Sequence, residues 1–349
     1  MKTLNESALY QAIKCGPSDG NIPSSIFFEL TYGCNFRCAH CYNPTHWAKP
    51  EELSANEIFC ILDQVAALGV LSVAFTGGEM FTRPDIFEIF EHAKRLGLVL
   101  DILTNASFLT EAAVAKLEEL GIQDIAVSMY GATEATFERV TRTSGSYKLF
   151  LQGLEALSKS SSNICVRMPL MTINVHEAKM AKTFVERKGF LFRFYLGIDP
   201  RQDGDPRPLQ YQLDPGTKIA VLSELQPEGL RKTYLKEKTC SPDFIDCACG
   251  REQFAITSYG KMNLCVSFPT PNYDLRLGTV KEGWRILQKL VQDAKPNDNY
   301  YCSSCDLKPF CQQGRADAWM QTGDMSACLP HFKEYAMLHK KEFQNRVVQ

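Results

Sequence analysis

Ile26-Phe27-Phe28-Glu29-Leu30, followed after three residues by Cys34-Asn35-Phe36-Arg37-Cys38-Ala39-His40-Cys41, decides how this chain reads. The apolar run has the length and composition of a buried strand. A loop leaving the C-terminal end of such a strand is where α/β folds place their active sites. Three thiolates spaced C-x3-C-x2-C on that loop can hold three irons of a 4Fe–4S cluster and leave the fourth without a protein ligand. Zinc is the alternative at this point, because His40 or His46 would complete a tetrahedral site.

Outward from the loop, strands and helices alternate. Ser54-x-x-Glu57 is a capping box ahead of Ile58, Ile61, Leu62, Val65 and Leu68 at helical spacing. Residues 70–75 predict the next strand and residues 85–96 the next helix, apolar at Ile86, Phe87, Ile89, Phe90 and Ala93. Strands at 98–103, 122–129, 164–170 and 190–196 follow, with helices at 110–120, 133–141, 147–158 and 176–187. Such βα units imply a parallel sheet with crossover helices. There are too few for a closed eight-stranded barrel, and no Gly-rich dinucleotide fingerprint leads them. The expected fold is α/β, a partial (β/α)6 TIM-like barrel.

Near residue 200 the pattern gives way to Asp199-Pro200-Arg201-Gln202-Asp203-Gly204-Asp205-Pro206, a boundary signal. Beyond it, residues 253–256 and 262–266 flank Thr257-Ser258-Tyr259-Gly260-Lys261 as a β-hairpin, and helices are expected at 283–293 and from His331 onward. The organisation read from this is an extension at 1–23, the barrel at 24–200 and a linker at 201–238. A small cysteine-rich domain with the hairpin and helices follows at 239–335, then a C-terminal helix at 336–349.

Composition narrows the function. The 349 residues carry 38 Lys and Arg against 40 Asp and Glu, so neither nucleic acid nor an anionic membrane is the expected partner. No apolar run reaches membrane-span length and no signal segment opens the chain, which predicts a cytoplasmic protein. Fourteen cysteines without a signal segment argue for metal rather than disulfides. Cys15, Cys60 and Cys165 stand alone, and for the last two, inside a helix and a strand, core packing is expected. The others gather at 34–41, 240–265 and 302–328.

The second strand ends in Thr76-Gly77-Gly78-Glu79, where two glycines admit close backbone approach and a carboxylate can receive an ammonium group. Gly-Gly-Glu one βα unit after C-x3-C-x2-C resembles the radical S-adenosylmethionine (radical SAM) enzymes, over about residues 24–200. The resemblance implies a 4Fe–4S cluster on Cys34, Cys38 and Cys41, whose open iron chelates S-adenosyl-L-methionine. One electron then yields a 5′-deoxyadenosyl radical that abstracts hydrogen from a C–H bond. It further implies cofactor contacts from Tyr42, Gly77, Gly78, Glu79 and Asn105, with Ser128 and Arg139 on the methionine carboxylate and Arg142 competing for that role. No side chain is singled out as catalytic, since the cofactor carries the hard chemistry.

Cys247-x-Cys249, Gly260-x4-Cys265, Cys302-x2-Cys305-x5-Cys311 and Cys328 resemble the SPASM domain, which implies two auxiliary 4Fe–4S clusters. Cys302, Cys305, Cys311 and Cys328 would hold the outer one. The cysteine usual three residues after Cys311 is missing, Arg315 standing next in line. The inner cluster is therefore left to Cys247, Cys249 and Cys265, with Cys240 as a further candidate or one iron open to substrate. A zinc ribbon is the alternative. An arginine close to a cluster would raise its potential.

Radical SAM and SPASM domains together imply an oxidoreductase-type maturase of a ribosomally made precursor peptide, forming a thioether or another crosslink. The alternatives are oxidation of Ser or Cys as in sulfatase maturation, or a small-molecule radical oxidoreductase. With 33 residues before Cys34 and 21 after Cys328, a separate leader-recognition protein is expected. Flavodoxin or ferredoxin is the expected electron donor.

Overall fold

The computed structural model describes residues 22–122, 124–226 and 244–347. Cys15 and Cys240 lie outside the described residues.

The six strands are β1 (Ser25–Glu29), β2 (Ser72–Thr76), β3 (Val99–Thr104), β4 (Asp124–Ser128), β5 (Asn163–Pro169) and β6 (Leu191–Tyr195). They lie side by side in sequence order, each parallel to the next. Helices α1 (Ala55–Ala67), α2 (Ile86–Arg95), α3 (Glu111–Glu119), α4 (Glu134–Thr141), α5 (Ser146–Leu157) and α6 (Ala178–Arg187) make the crossovers. Alternation along each strand sets the layers. Ile26, Phe28, Val73, Phe75, Ile102, Val127 and Val166 are fully buried in the core that the helices share, each side chain contributing roughly 1.5–3 kcal/mol. The opposite face, with Phe27, Thr76, Leu103, Ser128 and Arg167, lines a cavity. The Ser54/Glu57 capping box starts α1 as expected. Sheet order leaves β6 at an edge, so the barrel is open, in agreement with the sequence.

The cysteine-rich segment joins this sheet. Strand β7 (Gln253–Ile256) pairs parallel with β1, which satisfies the second edge of that strand. The expected hairpin follows as β8 (Lys261–Asn263), and β9 (Tyr273–Asp274) extends it.

Two helices escaped the sequence reading, and a third starts earlier than expected. In the stretch read as linker lies α7 (Pro215–Leu225), capped by Asp214 with Pro215 in its first turn. The helix expected from residue 283 is α8 (Val280–Asp293), which starts earlier because Thr279 and Glu282 form a capping box. Between Cys311 and Cys328 runs α9 (Arg315–Thr322). The C-terminal helix α10 (Pro330–Val347) packs on α7, Ser223 Oγ donating to Glu342 at 3.3 Å. Cys60 is exposed on α1, against the expectation of core packing, because it falls off the apolar stripe of Ile58, Ile61, Leu62 and Val65. Cys165 is partly buried on the cavity-facing side of β5. Among the described residues no helix is long and apolar enough to cross a membrane.

Candidate active site

Cys34, Cys38, Cys41, Tyr42, Gly77, Gly78, Asn105 and Ser128 all stand in the wall of one cavity of about 760 Å³. The structure thus brings together most of the barrel residues singled out from sequence. Each comes from a loop or last residue at the C-terminal end of β1 to β4, where parallel strands release the chain.

The cysteine loop is held from several sides. Asn105 Nδ2 donates to Asn35 Oδ1 at 3.0 Å, and Asn35 Nδ2 donates to Ser107 Oγ at 2.9 Å. The Arg37 and Ala39 amides donate to the carbonyls of Thr141 and Val140 on α4. Gly77 and Gly78 make the β2 turn fit against the same loop. Their backbone places any added Cβ 2.3 Å from the Thr31 carbonyl and 2.2 Å from that of Gly33, and Gly77 has φ +134°. The Gly78 amide donates to Thr31 and the Glu79 amide to Gly33. These glycines therefore serve the contact between two strand ends as much as any ligand.

Glu79 sits behind the wall, fully buried. It accepts from Thr104 Oγ1 at 2.9 Å, from the Asn105 amide at 2.7 Å and from the Phe81 amide at 3.2 Å. Burial pushes its carboxyl up to about 7. In this structure it clamps the end of β3 to the β2 turn. Glu29, at the end of β1, is a second buried carboxyl raised to about 7, which accepts from Tyr42 at 2.9 Å and from Tyr32 at 3.3 Å. Glu29 thereby orients Tyr42 from behind.

The donor set fits an iron–sulfur cluster. Cys34, Cys38 and Cys41 are free thiols around the cavity, and burial pushes the Cys34 thiol up to about 12 and raises the other two. Among the described residues no three His, Cys, Asp or Glu groups converge tightly enough to hold one ion, whereas a cluster takes one thiolate per iron. Tyr130 donates its hydroxyl to Cys38. His40 lies partly buried beside the Tyr130 ring with its Nδ1 buried and unpartnered, and desolvation lowers it to about 4, so it stands neutral.

Arg139 and Arg142 do not reach the cavity. Arg139 Nη2 donates to the Ile173 carbonyl, and Arg142 Nη2 to the Tyr211 hydroxyl at 3.0 Å. The cations expected near Ser128 are therefore engaged elsewhere. Sequence reasoning missed Arg167 and Asp199, both in the cavity wall. Asp199 lies just past the last expected strand, where its Pro-containing context read only as a boundary. It accepts from Ser267 at 3.0 Å, and burial raises its pKa.

The C-terminal thiols form two groups. Cys249 is hydrogen-bonded to both Cys247 and Cys265, which unites the three expected at the inner position. Cys302, Cys305 and Cys328 face one another electrostatically, and Cys311 lies beside Tyr335. Arg315 caps the second group: Nη2 reaches Cys302 Sγ at 3.6 Å and Nη1 the Met325 carbonyl at 3.0 Å, over the rings of Tyr300 and Phe244. Val266 and Gln312, neighbours of Cys265 and Cys311, belong to the wall of the barrel cavity.

Comparison with known proteins agrees with this geometry. Residues 28–185 match the Radical SAM superfamily. An AdoMet-dependent heme synthase of Methanosarcina barkeri is 27% identical over 332 residues, covering 87% of this chain and 94% of that protein. A PqqA peptide cyclase of Gluconobacter oxydans is 38% identical over 119 residues, covering 34% of this chain and 33% of the relative. Among solved structures, Streptococcus suis SuiB bound to precursor peptide SuiA superposes with a TM-score of 0.69 at 14% identity, covering 92% of this chain and 78% of SuiB. anSMEcpe with bound AdoMet gives 0.69 at 17%, covering 93% and 94%. At such identities the two structures speak for the fold.

Proposed function

We propose that this chain, whose residues 28–185 match the Radical SAM superfamily, is a radical SAM enzyme that oxidises or crosslinks a residue of a precursor peptide. When bound, the cluster and S-adenosylmethionine supply a 5′-deoxyadenosyl radical able to take hydrogen from an unactivated C–H bond. This chain's own residues do the rest. Cys34, Cys38 and Cys41 hold the metal. Tyr42, Gly77, Gly78, Asn105 and Ser128 shape the S-adenosylmethionine site, with Glu79 and Glu29 as positioning residues behind them. Apolar wall residues such as Phe27, Phe36 and Leu103 keep the reacting centre dry.

The observation that carries the reading is the shared wall. Val266 and Gln312 put both C-terminal cysteine groups one residue from the cavity that holds the first three thiols. We assign Cys247, Cys249 and Cys265 to an inner auxiliary cluster and Cys302, Cys305, Cys311 and Cys328 to an outer one. A substrate that has lost hydrogen then has an electron acceptor beside it. The peptide cyclisation by the PqqA peptide cyclases and the precursor peptide bound by SuiB favour a peptide. A second reading, oxidation of a carboxylated tetrapyrrole, is favoured by the heme synthase, which this chain matches over 94% of its length.

Anaerobic reconstitution tests both levels. About twelve irons per chain are expected from three 4Fe–4S clusters. Reduced enzyme with S-adenosylmethionine should release 5′-deoxyadenosine. Mass spectrometry of candidate peptides then decides the product: loss of two hydrogens with loss of a free thiol marks a thioether, while unchanged mass with one solvent deuterium marks epimerisation. A mass change confined to a carboxylated tetrapyrrole selects the second reading.

A further inference from the structure

Arg167 stands in the cavity wall with its Nε buried and without a hydrogen-bond partner. Strand register puts Ser128 of β4 beside Arg167 of β5, and Arg167 beside Arg193 of β6. Residues paired in register on parallel strands point to the same side of the sheet, so the three form one row. Neither guanidinium has an ion pair with a described residue. Two like charges on neighbouring strands repel, and a buried guanidinium N–H without an acceptor costs the desolvation of that donor. One carboxylate, which Arg binds with two parallel hydrogen bonds, relieves both.

We propose that Arg167, with Arg193, is a subsite for a carboxylate of the substrate. The direction of the row argues for substrate over S-adenosylmethionine. It runs from β4 to the open edge at β6, away from β1 and the cysteine loop. Arg193 also borders a second depression with Lys182 and Glu186, and its neighbours Leu191 and Tyr195 are exposed. A ligand arriving from solvent meets Arg193 first and Arg167 next. The subsite rests on the radical enzyme reading and narrows it: the molecule oxidised carries an acid group near the reacting carbon. Two sources share that chemistry, a Glu or Asp side chain of a peptide and a propionate of a tetrapyrrole.

The test uses the full, anaerobically reconstituted chain and two probe pairs. One is coproporphyrin III against its tetramethyl ester, followed by fluorescence quenching. The other is a fluorescein-labelled Gly-Glu-Gly-Tyr-Gly peptide against its Gln counterpart, followed by anisotropy. The expected result is at least tenfold tighter binding of the acid form in one pair, which identifies the source. That preference should fall to less than threefold in Arg167→Gln and persist in Arg167→Lys, with melting curves checking that both variants fold. S-adenosylmethionine affinity is measured by equilibrium dialysis in the same samples. Equal binding of acid and neutral forms, no binding of either pair, an undiminished preference in Arg167→Gln, or an equal loss of S-adenosylmethionine affinity in that variant would each overturn the subsite. Absence of 5′-deoxyadenosine formation by the wild-type chain would instead sink the underlying reading.

Discussion

The barrel cysteine loop and the C-terminal cysteine groups hold their thiols on different foundations. Around Cys34, Cys38 and Cys41 the protein alone sets the geometry: Asn35, Asn105 and Ser107 interlock, α4 carbonyls receive loop amides, and Glu79 and Glu29 are buried behind. Around Cys247, Cys249, Cys265 and Cys302–Cys328 the thiols sit on turns, and Cys247 and Cys328 are exposed. The first site is preorganised by polar networks over an apolar core. On the proposed assignment, the second would depend on its metal for much of its order, as small metal domains do. Preorganisation belongs where S-adenosylmethionine must be aimed within a fraction of an ångström. A site that only passes electrons or anchors substrate tolerates less.

The sharpest way to break this contrast is to remove a thiol from each side. Cys38→Ala is expected to abolish 5′-deoxyadenosine formation, by more than about a thousandfold, since no other thiol lines the described wall to replace the ligand. About four irons per chain should be lost while the melting temperature changes little. Cys302→Ala should keep S-adenosylmethionine cleavage yet raise hydrogen exchange across residues 299–329. Equal exchange increases around Cys34 and Cys302 after iron removal would refute the difference in foundation.

Glu79→Ala comes next. It leaves Thr104 Oγ1 and the amides of Asn105 and Phe81 without their acceptor, a loss of about 2–3 kcal/mol in unfolding free energy. Denaturant titration checks it, with S-adenosylmethionine binding falling in parallel.

Smaller is the pH effect. Both Glu29 and Glu79 are raised from 4.5 to about 7 by burial, so the folded chain keeps two protons that the unfolded chain has released. Their contribution to stability is full below about pH 4.5 and fades as pH rises through 7. Unfolding free energy should fall by about 1–2 kcal/mol per group between pH 5.5 and 7.5. Glu29→Gln keeps an acceptor for Tyr42 and should remove its share of the slope, read from denaturation midpoints across that range.

The smallest expected effect is at Arg315. Arg315→Gln removes a charged donor 3.6 Å from Cys302 Sγ, which should lower the potential of the proposed outer cluster by tens of millivolts. Redox titration followed by electron paramagnetic resonance measures it, and an unchanged potential would detach Arg315 from that cluster.

Much of the barrel was legible because its signals are local. The Ser54/Glu57 box, the apolar stripe of α1 and the β-sized runs each act within a few residues. Cys34, Cys38, Cys41 and Gly77-Gly78 were legible for the same reason, as spacing within one loop. What escaped involves partners far along the chain. Helix α7 was hidden in a Pro-containing stretch whose cap, Asp214 before Pro215, looks like a turn. Arg139 resembled a carboxylate holder by position, yet it spends its guanidinium on the Ile173 carbonyl. Glu79, read from sequence as a ligand group, also accepts from Thr104 and Asn105, 25 and 26 positions away.

The sequence by itself determined the α/β alternation, the open barrel and the three loop thiols with their glycine turn, because helical and strand periodicity and loop spacing are set by neighbours in the chain. Only the tertiary structure decided that β7 completes β1, that Arg167 rather than Arg139 faces the cavity, and that Val266 and Gln312, next to Cys265 and Cys311, belong to its wall. Those outcomes depend on strand register and on which face each side chain occupies. A shift of one residue in register reverses that face, and the pairing energies that choose it come from contacts between distant segments.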